Sequence, residues 1–233
     1  MQFAKADIED LAGIRAIWEE QFTTDSEYLS IMFGEIMPEC TSYVCREDSK
    51  IISALSLMPM LFTDDSTGAK LSGWYMFGVA TLKEHWGKRA AAQIIERASR
   101  EAAKDGYSFI FERPANQNLN KYYSDLGFTK QLQFIPHTFK TTPTDSSTRN
   151  INRHTSIKEA AKSILQEIRQ THSKRFEWKN LSILQSLIKL GELEFHNTTY
   201  CKTPPEGVFI SIKAMNAIPE ETFNKSFFCF PME

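Results

Sequence analysis

The sequence predicts an α+β protein: a mixed, mostly antiparallel central sheet flanked by helices over residues 1–140, followed by a small α+β unit over residues 156–233. Three observations predict it. Helix-type and strand-type patterns follow the order strand, two helices, three strands, helix, strand, helix, strand, which mixes antiparallel hairpins with one crossover. Short polar turns, Glu47-Asp48-Ser49-Lys50 and Asp64-Asp65-Ser66-Thr67-Gly68, separate the three central strands. Finally, residues 141–155, TTPTDSSTRNINRHT, hold one large apolar residue, Ile151, and read as a linker.

Each element has its own signal. Residues 1–6 alternate weakly, as an edge strand does. Asp7 is placed to cap a helix, with Asp10 three residues on as its capping-box partner. Leu11, Ile14, Trp18 and Phe22 then share one helical face. Asp25 or Ser26 opens a second helix through Tyr28, Met32 and Ile36, ended by Pro38. Strands are expected at 42–46, 51–62 and 70–81; in the third, Gly78 marks a bulge or a close backbone approach. A helix over 88–105 puts Ala91, Ile94, Ile95, Ala98 and Ala102 on one face and stops at Gly106. Residues 107–112 form a short buried strand, 118–126 a brief helix stopped by Gly127, and 128–140 one or two strands. Beyond the linker, Ile157, Ala161, Ile164, Leu165 and Ile168 mark one helix. Leu184, Leu187 and Ile188 mark a second, ended by Gly191. Strands are expected at 193–201, 208–215 and 227–230.

Composition narrows the function classes. With 42% apolar residues and 17 Phe the chain fills a real core, and 27 basic against 29 acidic residues give no footprint for nucleic acid or a membrane surface. No window reaches the ~18 apolar residues of a spanning helix, and the opening MQFAKADIEDL has no signal-peptide pattern, so a soluble, cytoplasmic protein is expected. Cys40, Cys45, Cys201 and Cys229 fit no zinc or redox spacing and the five His are scattered, so no metal is expected.

Chemistry concentrates in GVATLKEHWGKRAAAQIIERA, residues 78–98, where a strand runs through a short loop into a helix. The first turn of a helix leaves N–H groups without partners, and with the helix dipole they form an anion site. Lys88 and Arg89 add charge there, and Ala90, Ala91 and Ala92 leave the backbone open to a pyrophosphate. The next strand is followed by ANQNLNKYYSDLGF, residues 115–128. There Asn116 precedes Tyr123 by seven residues, and Leu126-Gly127-Phe128 follows. This pair of segments, in this order, resembles the GNAT superfamily of N-acetyltransferases, and the likeness covers the first 130 to 140 residues.

The resemblance implies a GNAT-type fold and transfer of an acetyl group from acetyl-CoA to a primary amine of a small molecule or peptide. It assigns the backbone of Val79, Ala80 and Thr81 to the pantetheine arm as an added strand. Trp86, Gly87, Lys88, Arg89, Ala90, Ala91 and Ala92 form the pyrophosphate loop. Tyr123 is the acid that protonates the departing thiolate, and Asn116 either holds the cofactor or caps the helix. The family loop reads Arg or Gln, two variable residues, Gly, one variable residue, then Gly or Ala; here Trp86 stands at its first position and Arg89 at its first Gly. Either Arg89 keeps the glycine backbone shape at ~1–3 kcal/mol of strain, or the loop relaxes and the guanidinium meets phosphate directly. No general base stands out; Glu112, Glu35 and Glu27 are the nearest carboxylates, and Trp74, Tyr75 and Phe77 line either an acceptor pocket or the core. The alternative reading is a degenerate, non-catalytic GNAT-fold module. The tail is either a wall of the acceptor site or an oligomerisation unit, and residues 227–230 are either a core strand of the tail's own unit, the preferred reading, or a strand pairing across a homodimer interface.

Overall fold

The computed structural model describes residues 1–133, 153–197, 209–214, 220–223 and 227–228. Five strands lead the sheet: β1 (Gln2–Lys5), β2 (Thr41–Glu47), β3 (Lys50–Asp64), β4 (Ala69–Thr81) and β5 (Phe109–Glu112). They pair in chain order, antiparallel up to β4 and parallel between β4 and β5. β6 (Lys130–Gln133) does not join β5 directly: β8 (Phe209–Ala214) lies between them, antiparallel to both. β7 (Lys174–Trp178) pairs with the far half of β3, from Met60 to Asp64, and β9 (Phe227–Phe228) pairs with β7 in parallel. Strands from both sides of the linker therefore share one sheet.

Helices cover both faces, which is why β3 is buried along nearly its whole length. On one face α3 (Ala90–Lys104) and α4 (Asn118–Asp125) press Ile94, Ile95, Ala98 and Tyr123 onto Leu55, Leu57, Met76 and Ile110. On the other, α1 (Leu11–Gln21), α2 (Ser26–Ile31), α5 (Arg153–Thr171) and α6 (Leu181–Asn197) bring Ile14, Trp18, Leu29, Ile168, Leu184 and Leu187 onto Ala54, Met58, Met60 and Phe62.

Local chemistry sets several boundaries as expected. Asp7 and Asp10 form a reciprocal capping box ahead of α1, and Asp25 caps α2 by accepting from the amides of Glu27 and Tyr28 at 2.9 and 3.0 Å. α2 continues as a π-turn over Met32–Ile36 and a 3₁₀ turn over Met37–Glu39 that accepts Pro38 in its first turn.

The tail corrects three expectations. Gly191 does not end the second tail helix: α6 runs on to Asn197, so 193–197 are helical and not strand. A glycine costs about 1 kcal/mol in a helix interior, less than burying Leu184, Leu187 and Leu190 on one face returns. Residues 174–178, given no strand from sequence, form β7; Phe176 and Trp178 are buried, and Arg175 and Glu177 are buried as an ion pair. The expected strand residues 134–140 and 198–201, and all of 141–152, lie outside the described residues.

Candidate active site

β4 is the strand that builds the site. The register between β3 and β4 slips at Leu55, which faces both Gly78 and Val79, so β4 carries a bulge there. Gly78 has φ of +60°. A Cβ at that position would stand 2.5 Å from Cζ2 of Trp18, so both the left-handed backbone and the close approach demand glycine. Beyond the bulge β4 loses its second neighbour. Its pairing with β5 ends at Met76 opposite Glu112, and the stretch from Phe77 to Thr81 has β3 on one side only, among the described residues. Leu82 N–H donates to Ile52 O at 2.9 Å, which makes these a bonded pair; by antiparallel alternation Thr81 directs its own N–H and C=O to the open side. That carbonyl is engaged by one side chain: Trp86 Nε1 donates to Thr81 O at 2.7 Å, while the rest of the indole stands 61% exposed. Ala80 is bonded inward, its carbonyl accepting from Ser53 Oγ at 2.8 Å.

The loop between β4 and α3 keeps the glycine backbone shape with a non-glycine residue. Gly87 has φ of +78° and Arg89 has φ of +60° and ψ of +20°, both left-handed. This resolves the two alternatives left by the sequence: the loop is not relaxed, and Arg89 bears the strain. It also delays the helix, which opens at Ala90 and not at Lys88. Among the described residues the N-cap Arg89 makes no side-chain cap bond, the first turn of α3 holds no acidic residue, and the first amide it satisfies is Gln93 N–H on Arg89 O, at 3.1 Å. The amides of Ala90, Ala91 and Ala92 thus converge at the positive end of a four-turn helix. The basic side chains beside them are already paired: Lys88 Nζ sits 3.0 Å from Glu47 Oε2, and Arg89 lies 3.6 Å from Glu96 Oε1.

Tyr123 comes from the middle of α4 and points into the α3-side core, 7% exposed. Burial pushes its phenol pKa up, and the nearby Glu112 carboxylate adds to the rise. The phenol therefore holds its proton throughout the physiological range. Tyr122, half-buried, packs edge-on against Tyr123 with ring centroids 5.2 Å apart. Asn116 Oδ1 accepts from the Asn118 amide at 3.0 Å, so its carbonyl oxygen opens α4. Glu112 is 1% exposed at the end of β5. Glu35 is held by the tail, accepting from Ser186 Oγ at 2.7 Å and Lys189 Nζ at 2.8 Å; Glu27 is exposed on α2.

The sequence-named residues fall into two groups. Val79, Ala80 and Thr81 lie on the open edge of β4, and Trp86 to Ala92 follow directly from it into α3. Tyr123 and Asn116 stand on α4, which shares a core with α3. Of the aromatics offered for an acceptor pocket, Trp74 turns to the α3 face, where it packs on Tyr107 at 4.6 Å. Tyr75 turns to the other, stacked on Phe111 at 5.0 Å and on Phe77 at 5.8 Å. Trp178 from the tail reaches Tyr75 at 5.8 Å. Burial pushes the Tyr75 phenol up to about 12. Among the described residues no helix is long and apolar enough to cross a membrane, and no group of His, Cys, Asp and Glu is arranged to hold a metal ion.

A bulged strand with one open edge, running into the N-terminus of a helix, is the kind of arrangement that strand addition and anion binding each use. The profile of the Acetyltransferase (GNAT) family matches residues 10–128, and the chain belongs to that family. Solved structures share its fold, among them the following two. One is a conserved protein from Enterococcus faecalis V583 described as a probable N-acyltransferase, with a TM-score of 0.60 and 16% identity, covering 79% of this chain and 47% of its own. The other is Eis1 from Mycobacterium abscessus, with a TM-score of 0.57 and 10% identity, covering 85% of this chain and 50% of its own. The chain thus spans about half the length of each. No curated protein matches it.

Proposed function

We propose that this chain transfers an acetyl group from acetyl-CoA to a primary amine of a small molecule or peptide. The observation that carries the reading is the juxtaposition of the open β4 edge with the uncapped amides of Ala90 to Ala92. An acyl-CoA needs both: amide partners for its pantetheine arm and fixed donors for its pyrophosphate. Family membership supports the same chemistry.

In this reading the outward groups of β4 between Val79 and Thr81 pair with the pantetheine amides, and the loop from Trp86 to Ala92 takes the pyrophosphate. The Thr81 carbonyl is shared with, or released by, the Trp86 indole. The amine lone pair attacks the thioester carbon, a C–N bond forms and the C–S bond breaks. Tyr123 gives its proton to the leaving thiolate, the amine loses its extra proton to solvent, and the tyrosinate takes one back from solvent. Even an unperturbed phenol of pKa ~10 is a weaker acid than a thiol of pKa ~8.5, and burial raises the Tyr123 pKa further, so the phenol acts by hydrogen bonding and yields its proton only as charge develops on sulfur. The test is acetyl transfer from acetyl-CoA to a panel of amines, with Tyr123→Phe beside the wild type. Turnover that falls in the variant supports the reading. Acetyl-CoA binding without turnover on any amine supports the second reading, a non-catalytic module, which the paired Lys88 and Arg89 and the engaged Thr81 carbonyl favour.

A further inference from the structure

The α1 side of the bulge carries a buried indole. Trp18 sits on α1, 5% exposed, enclosed edge-on by Phe22 at 5.0 Å, Phe33 at 5.8 Å and Phe77 at 6.1 Å. Its indole lies directly against the bulge: a Cβ built on Gly78 would come within 3.0 Å of Trp18 Nε1. Among the described residues, that buried N–H meets no acceptor. A buried donor without a partner costs about 1–3 kcal/mol, and nearly all such groups in folded proteins are paired. Aromatic enclosure alone does not explain an indole: phenylalanine would fill an apolar slot on this helix without the penalty. The position is also specific. The donor stands at the one residue where β4 bulges and its pairing with β5 has ended.

We infer that Trp18 Nε1–H is a catalytic donor that binds the thioester carbonyl oxygen of the acyl group at the Gly78 bulge. The inference rests on the acyl-transfer reading and adds a residue to it. An indole only donates, so its partner is an oxygen acceptor. When the amine attacks, the C=O π pair moves onto oxygen, and a fixed N–H in a site lined by Phe33 and Phe77 stabilises that charge more than it does the neutral carbonyl. As the C–S bond breaks the pair returns to the carbonyl, and Trp18 gains and loses no proton. Gly78 is then needed twice over, to form the bulge and to let the indole reach it.

The test replaces Trp18 with 3-benzothienylalanine, which keeps the shape and exchanges N–H for sulfur, with Trp18→Phe as a second variant. The infrared carbonyl stretch of bound ¹³C-acetyl-CoA is read alongside kcat and KM. The expected result is a carbonyl band shifted down in the wild type and returned towards the free value in both variants. kcat should fall about 100-fold, as for loss of one oxyanion donor, with acetyl-CoA affinity unchanged. Normal acetyl-CoA binding with the same band in wild type and isostere overturns the role of Trp18 and leaves the acyltransferase standing. An unchanged band with a raised KM for the amine also overturns it, because the N–H then serves an oxygen of the acceptor. A wild type that binds no acetyl-CoA overturns the acyl-transfer reading and this role together.

Discussion

The two surroundings of the C-terminal half of β4, the turn into α3 and the α1 face, are built from opposite materials. Where β4 runs into α3 the chain offers small side chains: Ala90, Ala91 and Ala92 open the helix, and its first turn holds no acidic residue. Towards α1 the surface is aromatic, with Trp18, Phe33, Tyr75 and Phe77 closed from behind by Trp178 of the tail. Backbone donors recognise a phosphate group without regard to what it is attached to. A rigid aromatic enclosure selects by shape. Under the proposed function the first would serve cofactor recognition and the second acceptor selection.

The largest effect is expected where the faces meet. Gly78→Ala adds a Cβ 2.5 Å from Trp18 at φ of +60°, so it should destabilise the fold by about 3 kcal/mol, the sum of left-handed strain and overpacking. A denaturant melt checks this, and a variant as stable as wild type would show that the two faces are not coupled at the bulge. On the α3 side, Tyr123→Phe should lower kcat roughly 100-fold while leaving acetyl-CoA affinity within a factor of two, the pattern of an acid acting only in the transition state. Loss of affinity instead would make Tyr123 a packing residue.

The tail's contribution to the aromatic face depends on a buried ion network. Arg175, whose side chain is 8% exposed, bonds Asp65 of the β3–β4 turn, Glu177 and the His172 carbonyl; Arg169 holds the other Glu177 oxygen at 2.6 Å. Arg175→Met should cost about 2 kcal/mol, less than an isolated buried pair because Arg169 remains. If the tail braces only the α1 face, the melt shifts and acetyl-CoA affinity does not. On the α3 face, Arg89→Gly should stabilise the protein by roughly 1 kcal/mol by removing a left-handed arginine. It should not abolish cofactor binding, since backbone amides carry it.

The smallest effect is a pH dependence at the same turn. The Ser66 hydroxyl, and behind it the Ser66 amide at 2.9 Å and Lys174, hold the Asp64 carboxyl down at about 2. A lowered folded-state pKa gives stability that is present above the ordinary carboxylate value near ~3.9 and is lost as pH falls towards 2. Asp64→Asn should therefore flatten the stability curve below about pH 4 and leave neutral pH little affected by titration. An equal acid slope in both proteins would rule Asp64 out.

Most of the first 128 residues were legible because local signals there agree with tertiary structure. The Asp7–Asp10 box, the Asp25 cap and the Gly78 bulge each follow from one or two residues. The cofactor loop was half legible. Its pattern marked a loop running into a helix, which the structure places at residues 86–89 with 90–92 in the first turn of α3, but only the backbone could show that Arg89 takes the shape of a glycine. The tail was poorly legible because long-range pairing overrides its local cues. Gly191 is carried inside α6, and the charged alternation of residues 174–178 hides a strand whose buried Arg175 and Glu177 offset part of their desolvation cost by pairing with each other. Trp18 gave no sign beyond its place on an apolar face; its unpartnered N–H is visible only in three dimensions.

The central claim, that the β4 edge and the α3 amides form an acyl-CoA site, is tested most directly by titrating acetyl-CoA into the protein by calorimetry, with Arg89→Asp alongside. The account predicts micromolar binding that the variant weakens by placing a carboxylate among the pyrophosphate donors. No heat at millimolar acetyl-CoA from a folded wild type, or equal affinity in the two proteins, would contradict it.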